Sequence, residues 1–563
     1  MNKEILKQVL EMHGVGRKEI TKRFNISESD ARAMCAIRDN QDVVFATVTA
    51  PRKKILVPKE HKAYVRKICR NQTLSHSEKL ELLSENLKVN HENVEQWVSA
   101  MGLSLMPTQF FKAKNRKIKK SKRYIISSAQ TASMVHTEFL KNIEAYAKFI
   151  GAEIGIIATR YRNPTSIWKE SGDVWSLEVD KYLTAKRQVL HPRLVLLADL
   201  KIQATAPNPT RSTELFGDDK TCIVGAPKIE MHPLSSLKEQ HQKFIYSTGS
   251  VTAPSFTDTV AGGKAAEHHS YGFIVVEIEN DEIVHVRSVS AQKDGCFNDL
   301  KYKISNQTIT EEDIEYLIWG DSHFAQKNQN VTNAFRDICK DLGIRKSVLH
   351  DVFDSESMNT HNMKDPVIQH ELQQAGRDDF RRELNHMYSE LDWFEENMDQ
   401  VLVVASNHDD MVDRAMIKGD WRDNLKNALI FVEMLTLKLN KKAEDGLIPY
   451  YINKRYEKVR ALSLDDSFIY KGVELALHGH KGPNGSRGNI SQFAKLSVRT
   501  IIGHSHSPKI KGGCYQVGIS CDMDHGYNKG LSSWGYASCT LNKYGKRQMI
   551  LLNKKSLTYT TLY

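Results

Sequence analysis

Apolar runs of strand length alternate with longer amphipathic stretches over most of the chain, a pattern that predicts a mixed α/β protein of several domains. Between residues 124 and 310 the runs YIISSA, IGIIAT, LVLLADL, KFIYST and YGFIVVEI read as strands, with an amphipathic helix at 133–149 between the first two. The first three suggest a βαβ arrangement, and Asn280-Asp281 predicts a hairpin turn after YGFIVVEIE. Further on, EYLIW, SVL, QVLVVA and VELAL are strand-like. The stretches 367–398 and 410–443 are charged and helical, and ALIFVEMLTLKL supplies an apolar face that should pack beside a sheet and help to cap it. The GGK at 262–264 lacks the spacing of a phosphate-binding loop and reads as an ordinary loop, with His268 and His269 on the surface.

The N-terminal pattern is different. Residues 17–38, RKEITKRFNISESDARAMCAIR, predict a helix, a short turn and a second helix capped by Ser27, with Ile20, Phe24, Ile26, Ala31 and Met34 buried. At a constant offset of 63, Leu83, Leu87, Val89, Val94 and Trp97 take the same places and Asn90 takes that of Ser27. Two helix-turn-helix modules follow, at 1–45 and 46–109. Around the first turn, Arg17, Lys18, Lys22, Arg23 and Arg32 could reach DNA phosphates, with Ser29 and Asp30 early in the second helix. The second module is less basic, and helical hairpins of this kind also dock proteins.

Charge sharpens that picture. The net charge is +11 at pH 7, which favours an anionic partner such as DNA. It is concentrated at 110–123, where Lys112, Lys114, Arg116, Lys117, Lys119, Lys120, Lys122 and Arg123 predict a solvated basic linker that tracks a phosphate backbone. Eight cysteines, at 35, 69, 222, 296, 339, 514, 521 and 539, form no CxxC pair, so neither a zinc ribbon nor a disulfide framework is expected and a reducing cytoplasm fits. No apolar run approaches the roughly 20 residues of a membrane helix, so no membrane partner is expected. A homo-oligomer remains open.

Candidate chemistry lies in five ordered clusters: Gly320-Asp321-Ser322-His323, His350-Asp351-Val352-Phe353-Asp354, Ser406-Asn407-His408-Asp409, His478-Gly479-His480 and Gly503-His504-Ser505-His506. Most directly follow strand-like runs, which would bring carboxylate, imidazole and amide groups to one edge of a sheet. The order DxH, D, NH, H, HxH resembles the calcineurin-like metallophosphoesterase family over about residues 312–563. The resemblance implies a two-metal site, with Asp321, His323 and His506 on one ion, Asn407, His478 and His504 on the other, and Asp351 bridging. It also implies that His408 steadies the phosphate or protonates the leaving oxygen, with Asp409 as its orienting partner. Glycine commonly precedes both the bridging aspartate and the asparagine in that family, whereas here His350 and Ser406 do. His480, Lys481 and Arg487 border a glycine-rich loop that could face the substrate.

The expected architecture is therefore a multidomain α/β chain: helix-turn-helix modules, the basic linker, a middle α/β domain of unknown role at 124–310, and a calcineurin-like metallophosphoesterase sandwich at 311–563. The function expected is a DNase that hydrolyses phosphodiesters with two divalent cations, Mn²⁺ best suiting the mixed oxygen and imidazole ligands, with Mg²⁺, Fe²⁺ or Zn²⁺ also compatible. The domain order also resembles the pre-early DNases of T5-like bacteriophages, which implies degradation of host DNA in the host cytoplasm. A phosphomonoesterase or protein phosphatase would use the same metal core. A DNA-binding regulator with a dead phosphoesterase domain is the non-enzymatic alternative.

Overall fold

The computed structural model describes residues 5, 8–9, 17–27, 30–31, 34, 57–70, 76–101, 110–112, 116–160, 174–200, 202–237, 240–256, 259–359, 365–526 and 528–562. It divides into two compact units, 1–109 and 110–563.

In the first unit, the helix Arg17–Phe24 leads into a turn at which Ser27 Oγ accepts from Asp30 N (3.1 Å), the N-cap expected there. Ile20, Ala31 and Met34 are buried with Val9, and Phe24 and Ile26 pack against them. In the second module the helices His76–Leu87 and His91–Ala100 meet around Leu83 and Val94, and Asn90 Oδ1 accepts from Asn93 N at 2.9 Å. Trp97 departs from the repeat. Val98 fills the core position, while the Trp97 ring stacks on His61 at 5.6 Å from the Lys59–Arg70 helix, an element outside the repeated pair.

In the second unit, a six-stranded sheet runs in the order Val459–Ala461, Gln400–Val404, Lys346–His350, Ile314–Asp321, Ala537–Asn542, Arg547–Leu551. The first four strands are parallel and the last two antiparallel. Successive side chains leave opposite faces of a strand. Ile318, Val348, Leu402 and Val404 accordingly enter one core, and Leu317, Trp319, Leu349, Val401 and Val403 enter another beneath the helices Gln329–Asp341, Phe380–Asn397, Ala428–Leu439 and Leu447–Arg455. Of the apolar residues in ALIFVEMLTLKL, Ile430, Phe431 and Met434 are buried, while Leu429 and Leu439 are exposed.

The middle region is not a separate body. Its five-stranded sheet has the order Val284–Ser290, Gly272–Ile278, Arg123–Gln130, Glu153–Thr159, Leu183–Thr184, with the helix Thr137–Ile150 packed on its outer face. The first two strands are antiparallel and the last three parallel, the arrangement of the six-stranded sheet less one parallel strand. Both sheets lie against a single ten-stranded sheet that spans the expected boundary at 310, because Tyr124, Ile126, Ile274, Ile318, Val348, Ile501, Tyr515, Met231 and Tyr246 share one core. That sheet consists of two five-strand halves of identical order and sense. Ile469–Tyr470, Val473–Glu474, Arg499–Ile502, Cys514–Gln516 and Lys509–Lys511 form one; Gln188–His191, Leu194–Leu196, Thr221–Val224, Lys243–Thr248 and Ile229–Leu234 form the other. They join at Ile510 and Met231.

Three further expectations change. LVLLADL does not complete the βαβ sheet; Leu194–Leu196 pairs in the ten-stranded sheet, and Leu183–Thr184 is the third parallel strand. GGK lies inside the helix Val260–His268, capped by Thr259 Oγ1. The basic segment is not a free linker. Phe110–Lys112 pairs with Val174–Ser176, Arg116 bonds Asp180 at 2.9 Å, Ile118 packs on the central core, and Arg123 donates to the carbonyls of Ile150 and Thr561. Seven of the cysteines are described and all are unbonded thiols. Among the described residues, no helix is long and apolar enough to cross a membrane.

Candidate metal centre

The C-terminal ends of the parallel strands deliver the predicted ligands to one edge. Asp321 closes the Ile314–Asp321 strand, Asp351 follows Lys346–His350, and Asn407 opens the helix Asn407–Lys418 directly after Gln400–Val404. From the opposing sheet, His478 follows Val473–Glu474, and His504 and His506 follow Arg499–Ile502. Four of these residues, His323, Asp351, His504 and His506, sit at left-handed backbone angles, with φ of 37°, 46°, 74° and 58°. Such a conformation costs a non-glycine residue on the order of 1–3 kcal/mol and concentrates at functional sites. Gly503 is needed for another reason: a Cβ there would lie 2.1 Å from Asp321 Oδ1.

The side chains converge. His506 Nε2 lies 3.1 Å from both Asp321 Oδ2 and His323 Nε2, and Asp351 Oδ2 lies 3.2 Å from His478 Nε2 and 3.6 Å from His323 Nε2. Asn407 Oδ1 is 3.2 Å from His478 Nε2, and the His504 ring is 5.2 Å from that of His478. Asp321, His323, Asp351 and His506 each place a ligating atom within 4.8 Å of the others. Among the described residues, neither oxygen of Asp321 nor Oδ1 of Asp351 is satisfied by a hydrogen bond, although both side chains are buried. Unpaired buried carboxylates are costly, and a divalent cation held by this donor set removes that cost. The residues present therefore fit a metal ion.

Electrostatics agree with that fit. Burial, reinforced by the Asp351 charge, pushes the Asp321 carboxyl well above its usual range. Burial would also raise Asp351, but His478, His408 and His323 outweigh it and hold Asp351 well below that range. Burial lowers the His504 imidazole to about 4, helped by His478, and lowers His506 and His478 as well. These imidazoles are neutral near pH 7, the form that coordinates metal.

Around the cluster, Asp354 accepts from His323 Nδ1 at 2.7 Å and from Ala325 N at 2.9 Å, which turns the His323 Nε2 lone pair towards the cluster. His408 Nδ1 meets the Asp354 carbonyl at 2.9 Å, and its ring is 5.1 Å from that of His323. Asp409 is not its orienting partner. It closes a capping box instead: its Oδ2 accepts from Ser406 N at 2.8 Å and its N donates to Ser406 Oγ. That geometry explains Ser406 where glycine is usual. His350 is buried with Nδ1 3.4 Å from His478 Nδ1, and burial lowers it to about 3. Lys481 and His480 both face Asp410, at 2.6 and 3.7 Å. Arg487 bridges back to Lys481 through the backbone. Sequence reasoning assigned no role to Asp354, His350, His525 or Trp534, whose ring lies 4.2 Å from His506. Asp354 was visible three residues after Asp351; the other contacts had no local signal.

Of the predicted DNA contacts, Lys18, Lys22 and Arg23 are exposed on the first helix, and Lys117, Lys119, Lys120 and Lys122 are exposed beside the five-stranded sheet. Arg116 and Arg123 are engaged in the pairs given above. The side chains of Arg17 and Lys112, and the whole of Arg32 and Lys114, lie outside the described residues.

No protein family matches the chain, and no solved structure does. The chain is similar to Protein A1 of Escherichia phage T5, at 29% identity over 463 residues, covering 77% of this chain and 82% of that protein.

Proposed function

We propose that the chain is a metal-dependent DNase that hydrolyses DNA phosphodiesters at the buried aspartate and histidine cluster, with two divalent cations, Mn²⁺ first among them. The observation that carries this reading is the convergence of Asp321, His323, Asp351, Asn407, His478, His504 and His506, gathered from five separate sequence clusters, around both Asp321 oxygens and Asp351 Oδ1, which are buried and have no hydrogen-bond partner among the described residues. Asp321, His323 and His506 would hold one ion, Asn407, His478 and His504 the other, and Asp351 both. Two such ions, when bound, lower the pKa of a water and polarise a phosphate.

The chain's own groups do the rest. Asp354 fixes His323 through Nδ1, so that ring cannot rotate away from the cluster. His408 is held through Nδ1 by the Asp354 carbonyl, which leaves Nε2 as the atom able to carry a proton to a leaving oxygen. Burial would lower His408, but the charges of Asp351 and Asp354 outweigh it and raise the imidazole above its usual value, which suits it to donate near neutral pH. The basic first module and the exposed lysines at 117–122 would supply backbone affinity for DNA. Similarity to a phage T5 protein favours a phage-encoded chain, and a phage-encoded DNase would act on host DNA in the host cytoplasm. Incubation of the purified chain with labelled linear, circular and single-stranded DNA, with Mn²⁺ or with chelator, tests the reading. Metal-dependent shortening supports it, and intact DNA under every condition rejects it.

A further inference from the structure

In the second helical module the charge does not follow the repeat. By spacing, the helices His76–Leu87 and His91–Ala100 form the DNA-reading pair, and the second of them should enter a groove. That helix, HENVEQWVSA, holds neither lysine nor arginine, and its Glu92 and Glu95 are exposed. On the helix before it Glu81 and Glu85 are exposed, while Lys79 is buried with Nζ donating to the Cys69 carbonyl at 3.1 Å. The one exposed lysine of the pair is Lys88, in the turn between them. Pressed into a groove, the second helix would carry carboxylates between two rows of phosphates, where like charges repel.

The cations of the module lie instead on the helix outside the repeated pair, Lys59–Arg70. Lys59, Lys62 and Arg66 recur at i, i+3 and i+7 and so share one face, with the exposed Ala63 among them and the exposed Lys67 at its flank. Lys59 and Arg66 are exposed and Lys62 is half-buried. The opposite face is apolar: Val65, Ile68 and Cys69 enter the core with Leu83, Val94 and Val98. Each helix turns its apolar side to that core, so the basic stripe and the acidic stripes look away from one another. The stack of His61 on Trp97 at 5.6 Å holds the basic helix to the last one. Among the described residues, none of Lys59, Lys62, Arg66 and Lys67 is held in an ion pair or a side-chain hydrogen bond. From Lys59 to Arg66 the helix rises about 10 Å, roughly the axial span of three phosphates on one strand of a duplex. The small Ala63 lets a backbone approach between the cations.

We propose that the exposed face of the helix Lys59–Arg70 is a docking surface for the phosphate backbone of duplex DNA, and that the acidic helical pair is turned away from it. Contacts to phosphate alone position a protein without reading bases, so this module adds affinity and no sequence preference. The proposal rests on the DNase reading for the identity of the partner.

The test uses the full chain and a fluorescein-labelled DNA duplex in chelator, followed by anisotropy across a salt series. Three proteins are compared with wild type: one with Lys59→Ala, Lys62→Ala and Arg66→Ala together, one with Lys59→Arg and Lys62→Arg, and one with Glu92→Gln and Glu95→Gln. The alanine variant should lower the slope of log affinity against log salt by about 2.7, or 0.9 for each phosphate contact, and weaken binding on the order of 10²-fold at about 0.1 M salt. The arginine variant keeps the charge and should bind as wild type does. The glutamine variant should bind at least as tightly as wild type. Mn²⁺-dependent hydrolysis of a bis-nitrophenyl phosphate, which needs no DNA contact, should be unchanged in all three. Wild-type affinity and slope in the alanine variant, the result expected if this helix docks a protein, would overturn the proposal and leave the DNase reading intact. Weaker binding by the glutamine variant would also overturn it, by placing the acidic helix on the DNA, and so would loss of ester hydrolysis in step with DNA binding. A wild-type chain that binds no duplex would overturn both.

Discussion

Asp354 holds no metal in this account, yet removing its carboxylate should weaken metal binding sharply. Its Oδ1 accepts from His323 Nδ1 at 2.7 Å and its Oδ2 from Ala325 N at 2.9 Å, and it is buried. Loss of Oδ1 frees the His323 ring to rotate and to take the tautomer with its proton on Nε2, the nitrogen that faces His506 at 3.1 Å and Asp351 at 3.6 Å. Removing such an outer partner costs about 10–100-fold in metal affinity, or about 1.4–2.7 kcal/mol. Asp354→Ala should therefore raise the Mn²⁺ dissociation constant by that factor, measured by calorimetry, and shrink the rise in melting temperature that Mn²⁺ gives. Asp354→Asn keeps an acceptor for Nδ1 and should lose less. Because His408 is held by the Asp354 carbonyl, which both variants retain, turnover at saturating Mn²⁺ should fall less than apparent affinity. Metal affinity of Asp354→Ala within twofold of wild type would refute the orienting role.

His408→Ala should keep its bound metal by elemental analysis and lose about 10²–10⁴-fold in turnover; a parental rate of ester hydrolysis would remove His408 from the chemistry. Deletion of residues 1–109, a compact unit of its own, should leave Mn²⁺-dependent hydrolysis of a nitrophenyl phosphodiester and abolish efficient DNA cleavage, and undiminished DNA cleavage with an unchanged salt slope would assign that unit to another role. Arg287, buried between Glu277 and Asp299 with 2.6 and 2.8 Å bonds to the latter, should cost about 3–5 kcal/mol when changed to Met, read by urea unfolding. Burial would raise Glu277, but Arg287 and Thr561 overcome it and hold the carboxyl at about 2, against an ordinary 4.5. A depressed folded-state value stabilises above the unfolded one, so stability should fall as pH drops from about 4.5 to about 2, and Glu277→Gln should flatten that fall; identical acid profiles would contradict the pairing.

The site was legible because each ligand cluster follows a strand, and strand ends of an α/β sheet gather at one edge. The helical pairs were legible because caps and apolar spacing are local, as Ser27 and Asn90 show. What escaped depends on distant partners. Arg123 looked like one more charge in a basic run, but it bonds Thr561, 438 residues away. The duplicated sandwich was hidden because its pairing is long-range, and its first copy keeps only fragments of sequence likeness, such as Gly225 and Pro227-Lys228-Ile229 against Gly503 and Pro508-Lys509-Ile510. The histidines that mark the second copy are the residues the first one lacks.

In the proposed function, Asp321, Asp351 and the histidines form a metal centre that cuts DNA. The decisive experiment is time-resolved cleavage of labelled linear duplex by the full chain and by Asp351→Ala, each with Mn²⁺ and with chelator, alongside metal content by mass spectrometry. Two bound ions and rapid cleavage are expected for the wild type with Mn²⁺, no cleavage in chelator, and loss of both metal and cleavage in Asp351→Ala. Two full equivalents of metal in Asp351→Ala, or cleavage that persists in chelator, would contradict it.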